Sequence, residues 1–129
     1  MKKILALVLL ISTIMIVGCK KSEKNKDGVI VVTVMDRTNR TYEDFEVYAI
    51  DESTYNMFGL NSFYKDKMEI TDSKGQAEFK FDEKKLGADA EKYFYFFVNY
   101  TTGGQSYTAF KGVKVVSGET KNADIIMPN

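Results

Sequence analysis

The strictest constraint on this chain is a two-residue period. Ala77, Phe79 and Phe81 alternate with Glu78, Lys80 and Asp82. Only an extended strand sends successive side chains to opposite faces, so this segment reads as a half-buried strand. Residues 29–34, Val-Ile-Val-Val-Thr-Val, form a β-branched run that is apolar on both faces, as a strand inside a sandwich would be. Residues 45–50 are a second candidate. In a third, Tyr64, Asp66, Met68 and Ile70 alternate with Lys65, Lys67, Glu69 and Thr71, an apolar face that Asp66 interrupts. Residues 92–100 are dense in aromatics on both faces and predict a central strand. Gly103-Gly104 breaks it, and residues 106–110 pair back. Val113, Val115 and Val116 follow, then a turn at Ser117-Gly118-Glu119, then a last strand over 123–127 that Pro128 ends.

Asp72-Ser73-Lys74-Gly75 has the chemistry of a turn: Asp accepts a backbone N–H at the first position, and Gly tolerates positive φ at the fourth. It predicts a β-hairpin joining the strands on either side. Asp82 caps a short helical turn through Leu86, ended by Gly87, the one helical segment expected. About seven short strands at regular spacing predict a single antiparallel β-sandwich, all-β, with no second domain.

Residues 1–18 stand apart from this pattern. Lys2 and Lys3 precede an apolar run from Ile4 to Val17, 14 residues by count. A spanning helix needs about 20, so the run suits the apolar region of a cleaved export signal. Ile16, Val17 and Gly18 lead into Cys19, the only cysteine. The segment resembles a bacterial lipoprotein signal peptide with its lipobox. That resemblance implies cleavage between Gly18 and Cys19, a diacylglyceryl group on the Cys19 sulfur and an acyl chain on the new N-terminus. It implies an exported protein anchored by lipid in the cell envelope, with the outer membrane or cell surface favoured. Residues 19–28 contain no large apolar side chain and read as a flexible tether, leaving 29–129 as the sandwich domain.

Without residues 1–18 the chain has 111 residues, the size of one domain. It loses Lys2 and Lys3, which leaves 16 basic and 18 acidic side chains and a net charge of −2. No basic stripe points to nucleic acid. No cysteine is spare for a disulfide, so packing of the nine Phe and eight Tyr must hold the fold.

The order of these segments is similar to the transthyretin-like or carboxypeptidase-regulatory-like β-sandwich, with Thr71-Asp72-Ser73-Lys74-Gly75-Gln76-Ala77-Glu78-Phe79 its most specific stretch. The resemblance spans roughly residues 29–127 and implies a fold, with members that support a neighbouring domain or bind sugars or proteins. The hydrolase and ring-cleaving branches of similar fold rely on histidine, and this chain has none. Without His the usual nucleophile–base pairs are missing too. The carboxylates come as sequence neighbours (Glu43-Asp44, Asp51-Glu52, Asp82-Glu83), which on a strand diverge to opposite faces. No catalytic residue, metal ligand or cofactor beyond the covalent lipid is expected.

Binding is the sharper expectation. Residues 51–63 are long for a connection in a small sandwich and carry Tyr55, Met57, Phe58, Leu60 and Phe63 among Asn and Ser. Tyr55, Phe58 and Phe63 are the candidate contacts, either for a protein partner or, as stacking rings, for a carbohydrate. An inhibitor of an envelope enzyme is a third form of the same role. The bland account has the loop plugging an open end of the core.

Overall fold

The computed structural model describes residues 26–128; the expected export signal (1–18), with Ile16, Val17 and Gly18 of the expected lipobox, and Cys19 lie outside the described residues. Seven strands form two sheets: β1 (Gly28–Asp36), β2 (Glu46–Asp51), β3 (Lys67–Ile70), β4 (Gln76–Phe81), β5 (Glu91–Thr102), β6 (Gln105–Val116) and β7 (Thr120–Met127). One sheet has the order β4-β1-β7, the other β3-β2-β5-β6. The all-β sandwich follows the period-2 pattern. It is antiparallel except for β1 and β7, which run parallel from Val29 beside Thr120 to Asp36 beside Met127.

The two runs that are apolar on both faces take the inner positions. β1 lies between β4 and β7, and β5 lies between β2 and β6. Ile30, Val32 and Val34 of β1 and Phe79 and Phe81 of β4 meet Val47 and Ala49 of β2 and Phe94, Phe96 and Val98 of β5. The Phe79 and Phe96 rings join the sheets edge to face, centroids 5.1 Å apart. No buried side-chain nitrogen or oxygen among the described residues lacks a hydrogen-bond partner.

Gly103 and Gly104 both have positive φ (59° and 77°) between Thr102 and Gln105, the two-residue turn that closes the β5–β6 hairpin. Asp82 caps a 3-10 turn (Glu83–Leu86) as expected, its carboxylate accepting from the Lys84 amide.

Three expectations are corrected. Asp72–Gly75 does form its turn: the Gly75 amide donates to the Asp72 carbonyl, and the Asp72 carboxylate accepts from the Lys74 and Gln76 amides. It closes no hairpin, because β3 pairs with β2 and β4 with β1, so the turn carries the chain from one sheet to the other. The third strand is short, with Tyr64 in a 3-10 turn (Ser62–Tyr64) ahead of it, and its apolar face points outward. Glu69 and Lys67 sit opposite the core residues Val47 and Ala49, so Met68 and Ile70 face solvent. Residues 51–63 also contain a helix, α1 (Glu52–Phe58), where a loop was expected. Asp51 caps it by accepting from the Thr54 amide at 2.8 Å.

Candidate functional site

An antiparallel sheet with one face on the core normally turns polar residues outward. The three-stranded sheet does so at its edges, with Glu78 and Lys80 on β4 and Asn122 and Asp124 on β7 exposed. The four-stranded sheet does not. Its outer face carries a row that crosses all four strands: Met68 beside Tyr48, Tyr48 beside Phe97, Phe97 beside Phe110. Phe97 is completely buried although it lies outside the sandwich core, with the Tyr48 ring 5.3 Å from its own. Phe110 at the end of the row is 52% exposed. Of the large apolar side chains open to solvent among the described residues, Ile126 alone lies on the other sheet.

The row continues toward α1. Tyr95 lies between Phe110 (centroids 6.2 Å) and Tyr55 (4.2 Å), so the helix rests on the outer face of β5 and covers Ile50. Tyr93 lies over Gly112, where a Cβ would come within 2.8 Å of Tyr93 Cε1. Gly112 thus gives the ring its place.

Beyond α1 the chain turns through Gly59 (φ 71°), and Asn61 caps the short 3-10 turn by accepting from the Phe63 amide. Phe58 and Tyr64 stack face to face, centroids 3.9 Å apart and planes 11° from parallel, and Phe63 meets Tyr64 edge-on. The three candidate contacts therefore fall in three situations. Tyr55 packs on β5. Phe58 has one ring face on Tyr64. Phe63 meets Tyr64 by an edge and is otherwise open, 83% exposed, and Met57 on α1 is 68% exposed. The structure adds Tyr48, Met68 and Phe110, which the sequence reading did not single out, and brings Tyr93, read there as part of a central strand that could also pair with another chain, to the outer face. The aromatics on both faces of residues 92–100 were legible, but period 2 does not say whether the second face is enclosed or open.

Two hollows are notable among the described residues, one at the mouth between the sheets and one on the outer face. One, of about 280 Å3, is lined by Asp51, Asp66, Lys67, Phe81, Lys85, Lys92 and Phe94. Both of its carboxylates are engaged. Asp51 caps α1 and meets the Lys92 ammonium at 3.4 Å, while Asp66 accepts from the Asp51 amide at 2.8 Å. Burial opposes ionisation of Asp51, but the Thr54 amide and Lys92 outweigh it and hold the carboxyl below its usual range. A general acid needs the opposite shift. The other hollow, of about 240 Å3, is lined by Asp44, Phe45, Glu46, Tyr48 and Asn99. There the Tyr48 hydroxyl donates to Glu46, which raises the phenol above its ordinary value. Among the described residues no group of three or more His, Cys, Asp or Glu is placed to hold a metal ion, and no helix is long and apolar enough to cross a membrane.

No protein-family model matches this sequence, and no curated protein matches it. Among solved structures the chain is similar to part of phospholipase PlaB from Legionella pneumophila, with a TM-score of 0.49 and 14% identity over 81% of this chain and 25% of that one. It is similar also to part of a 9R-lipoxygenase from Cyanothece PCC8801, with a TM-score of 0.41 and 15% identity over 85% of this chain and 19% of that one. The chain thus spans about a quarter of the first and a fifth of the second.

Proposed function

We propose that this chain is a lipid-anchored protein of the cell envelope, exported by residues 1–18 and held through Cys19. Its sandwich is a non-catalytic module that binds another protein through the outer face of the four-stranded sheet. The observation that carries the reading is the row Met68, Tyr48, Phe97 and Phe110, aromatic and apolar on the face that a lone sandwich keeps polar. Tyr, Phe and Met are the side chains enriched at the centres of protein interfaces. The neighbouring loop favours a protein over a carbohydrate. Tyr55 is spent on Tyr95 and Phe58 on Tyr64, which leaves no pair of coplanar open rings for a sugar. An envelope enzyme held by this face would make the chain an inhibitor. The non-catalytic reading is supported by the absence of His and, in the hollow that Asp51 and Asp66 share, by the lowered pKa of the half-buried Asp51.

The test places a photo-crosslinking side chain at Phe110 or at Glu78, on opposite sheets, in the full chain in its own envelope. One discrete adduct from Phe110, absent from Glu78 and lost on adding Met68→Glu, is the expected result. The same adducts from both positions would sink the reading.

A further inference from the structure

The loop that carries Phe63 and the point where the chain leaves toward Cys19 lie at the same end of the sandwich. The Lys26 carbonyl accepts from the Gly118 amide, in the turn between β6 and β7. Val116, the last residue of β6, pairs with Glu91, the first of β5. Three residues on, Phe94 pairs with Asp51, which caps α1 and opens residues 52–66. The hairpin tip at Gly103-Gly104 and the Asp72–Gly75 turn lie at the other end.

Reach then limits what the loop can meet. Cys19 and Lys26 are seven residues apart, a span of at most about 25 Å when fully extended. Across the sheet, β6 and β3 are three strand spacings apart, about 14 Å. A lipid on Cys19 therefore leaves the Phe63 end of the sandwich within reach of the bilayer, with the opposite end a strand length farther from the tether.

The side chains at that end suit a bilayer surface. Phe63 and Met57 project their apolar tips, 83% and 68% exposed. Tyr64 and Lys65 follow directly, an amphipathic ring and a long-stemmed ammonium of the kinds that settle at headgroup level. Charges of both signs share the end, with acids in excess: Lys65, Lys67, Lys84, Lys85 and Lys92 against Asp51, Glu52, Asp66, Asp82, Glu83, Asp89, Glu91 and Glu119. Attraction to anionic lipid does not dominate there. Apolar insertion, helped by the tether's high local concentration, would.

We propose that Phe63 and Met57 seat in the interfacial layer of the membrane that anchors the chain, and so fix the sandwich upright with its aromatic sheet face open sideways to a partner. The proposal rests on the lipid anchor argued above. It assigns the loop to lipid, whereas the protein partner takes the sheet face.

The chain has no tryptophan, so Phe63→Trp introduces a single reporter. The full chain, recovered with its processed N-terminus, is reconstituted in phosphatidylethanolamine–phosphatidylglycerol vesicles with and without brominated acyl chains. Thr102→Trp, at the opposite end, serves as the reference. The expected result is a shift of the Phe63→Trp emission to shorter wavelength and its loss in brominated vesicles. Raised salt should leave that loss unchanged, and Thr102→Trp emission should stay as it is in buffer. Equal quenching of the two reporters, or none at Phe63→Trp, overturns the seating. The mass of the recovered chain reads the anchor separately. A lipidated chain without quenching overturns the seating alone. A recovered chain without lipid overturns the anchor and, with it, the tethered seating, whatever its quenching.

Discussion

The Tyr55 ring lies on the Tyr95 ring with centroids 4.2 Å apart, and this contact fixes α1 to the outer face of β5. It separates two aromatic residues of one loop that are equivalent by composition. Tyr55→Ala strips the helix of its main contact with the sheet, and we expect a loss of about 1–3 kcal/mol, less than a fully buried ring because Tyr55 is partly exposed. Phe63→Ala, in the same loop, should move stability by no more than about 0.5 kcal/mol. Urea unfolding of the two variants checks the contrast, and equal losses would mean that Phe63 also plugs the fold.

Thr71 closes the crossing between the sheets. Its hydroxyl donates to the Tyr42 carbonyl at 2.7 Å and accepts from the Phe45 amide at 2.8 Å, and the side chain is buried. Thr71→Val keeps the shape and leaves both backbone groups unpaired, at a cost of about 1–3 kcal/mol. Thr71→Ser keeps both bonds and should recover most of that. A Val variant as stable as the Ser variant would show that water replaces the hydroxyl.

Gly75 tests how tightly the same crossing is packed. Its φ is 76°, and a Cβ there would come within 2.6 Å of Thr41 Cβ and 3.1 Å of the Tyr42 nitrogen, neither able to swing aside. We expect Gly75→Ala to cost about 2–4 kcal/mol, strain and overlap together. Gly103 has a similar φ of 59° with open space around it, so Gly103→Ala should cost only about 1–2 kcal/mol. Thermal unfolding of the pair separates steric overlap from backbone strain.

These crossings mark where the sequence stopped being legible. The turn at Asp72–Gly75 was readable because its chemistry is local: an Asp that accepts amides and a Gly at positive φ. Which strands it joins was not, since pairing depends on partners far along the chain, β2 for one side and β1 for the other. For β3 the period of two gave the alternation and not the direction. Met68 and Ile70 point outward because Val47 and Ala49 fix which side of the sheet is core, and Lys67 reaches over the Phe81 ring from the rim. Helix α1 carried a readable signal in Asp51, Ser53 and Thr54, a capping pattern hidden by the shortness of the segment. That the aromatic outer face is open could not be read from residues 93–97, because a central strand with aromatics on both sides is also what a fully enclosed strand looks like.

Asp36 gives the fold an acid limit. The Thr38 hydroxyl and the Tyr42 phenol donate to its carboxylate, burial opposes them, and the Thr38 and Arg40 amides add two more bonds, so its pKa is lowered to about 2. An unfolded Asp titrates near 3.9. A depressed carboxyl contributes stability that is full above its unfolded value and is lost as pH falls through the folded one. The contribution should fade between about pH 4 and pH 2. Asp36→Asn should flatten the stability profile across that window and lower the plateau above it. A profile unchanged by Asp36→Asn would assign the acid loss to other carboxylates.

Phe97 and Phe110 are directly paired across β5 and β6 and should divide folding from binding. Phe97 is fully enclosed although it faces away from the sandwich core, which makes the outer face a second apolar layer. Phe97→Ala should cost about 3–5 kcal/mol, as much as a core ring such as Phe96. Phe110, half open at the end of the row, has little left to lose on folding, and Phe110→Ala should cost no more than about 1 kcal/mol. If the face binds a protein, Phe110→Ala should still abolish the adduct captured from a crosslinker placed at Tyr93, beyond Tyr95 along the same strand face, because an exposed ring beside a water-excluding one is where interface energy concentrates. A folded Phe110→Ala chain that keeps the adduct would move the binding surface off this row.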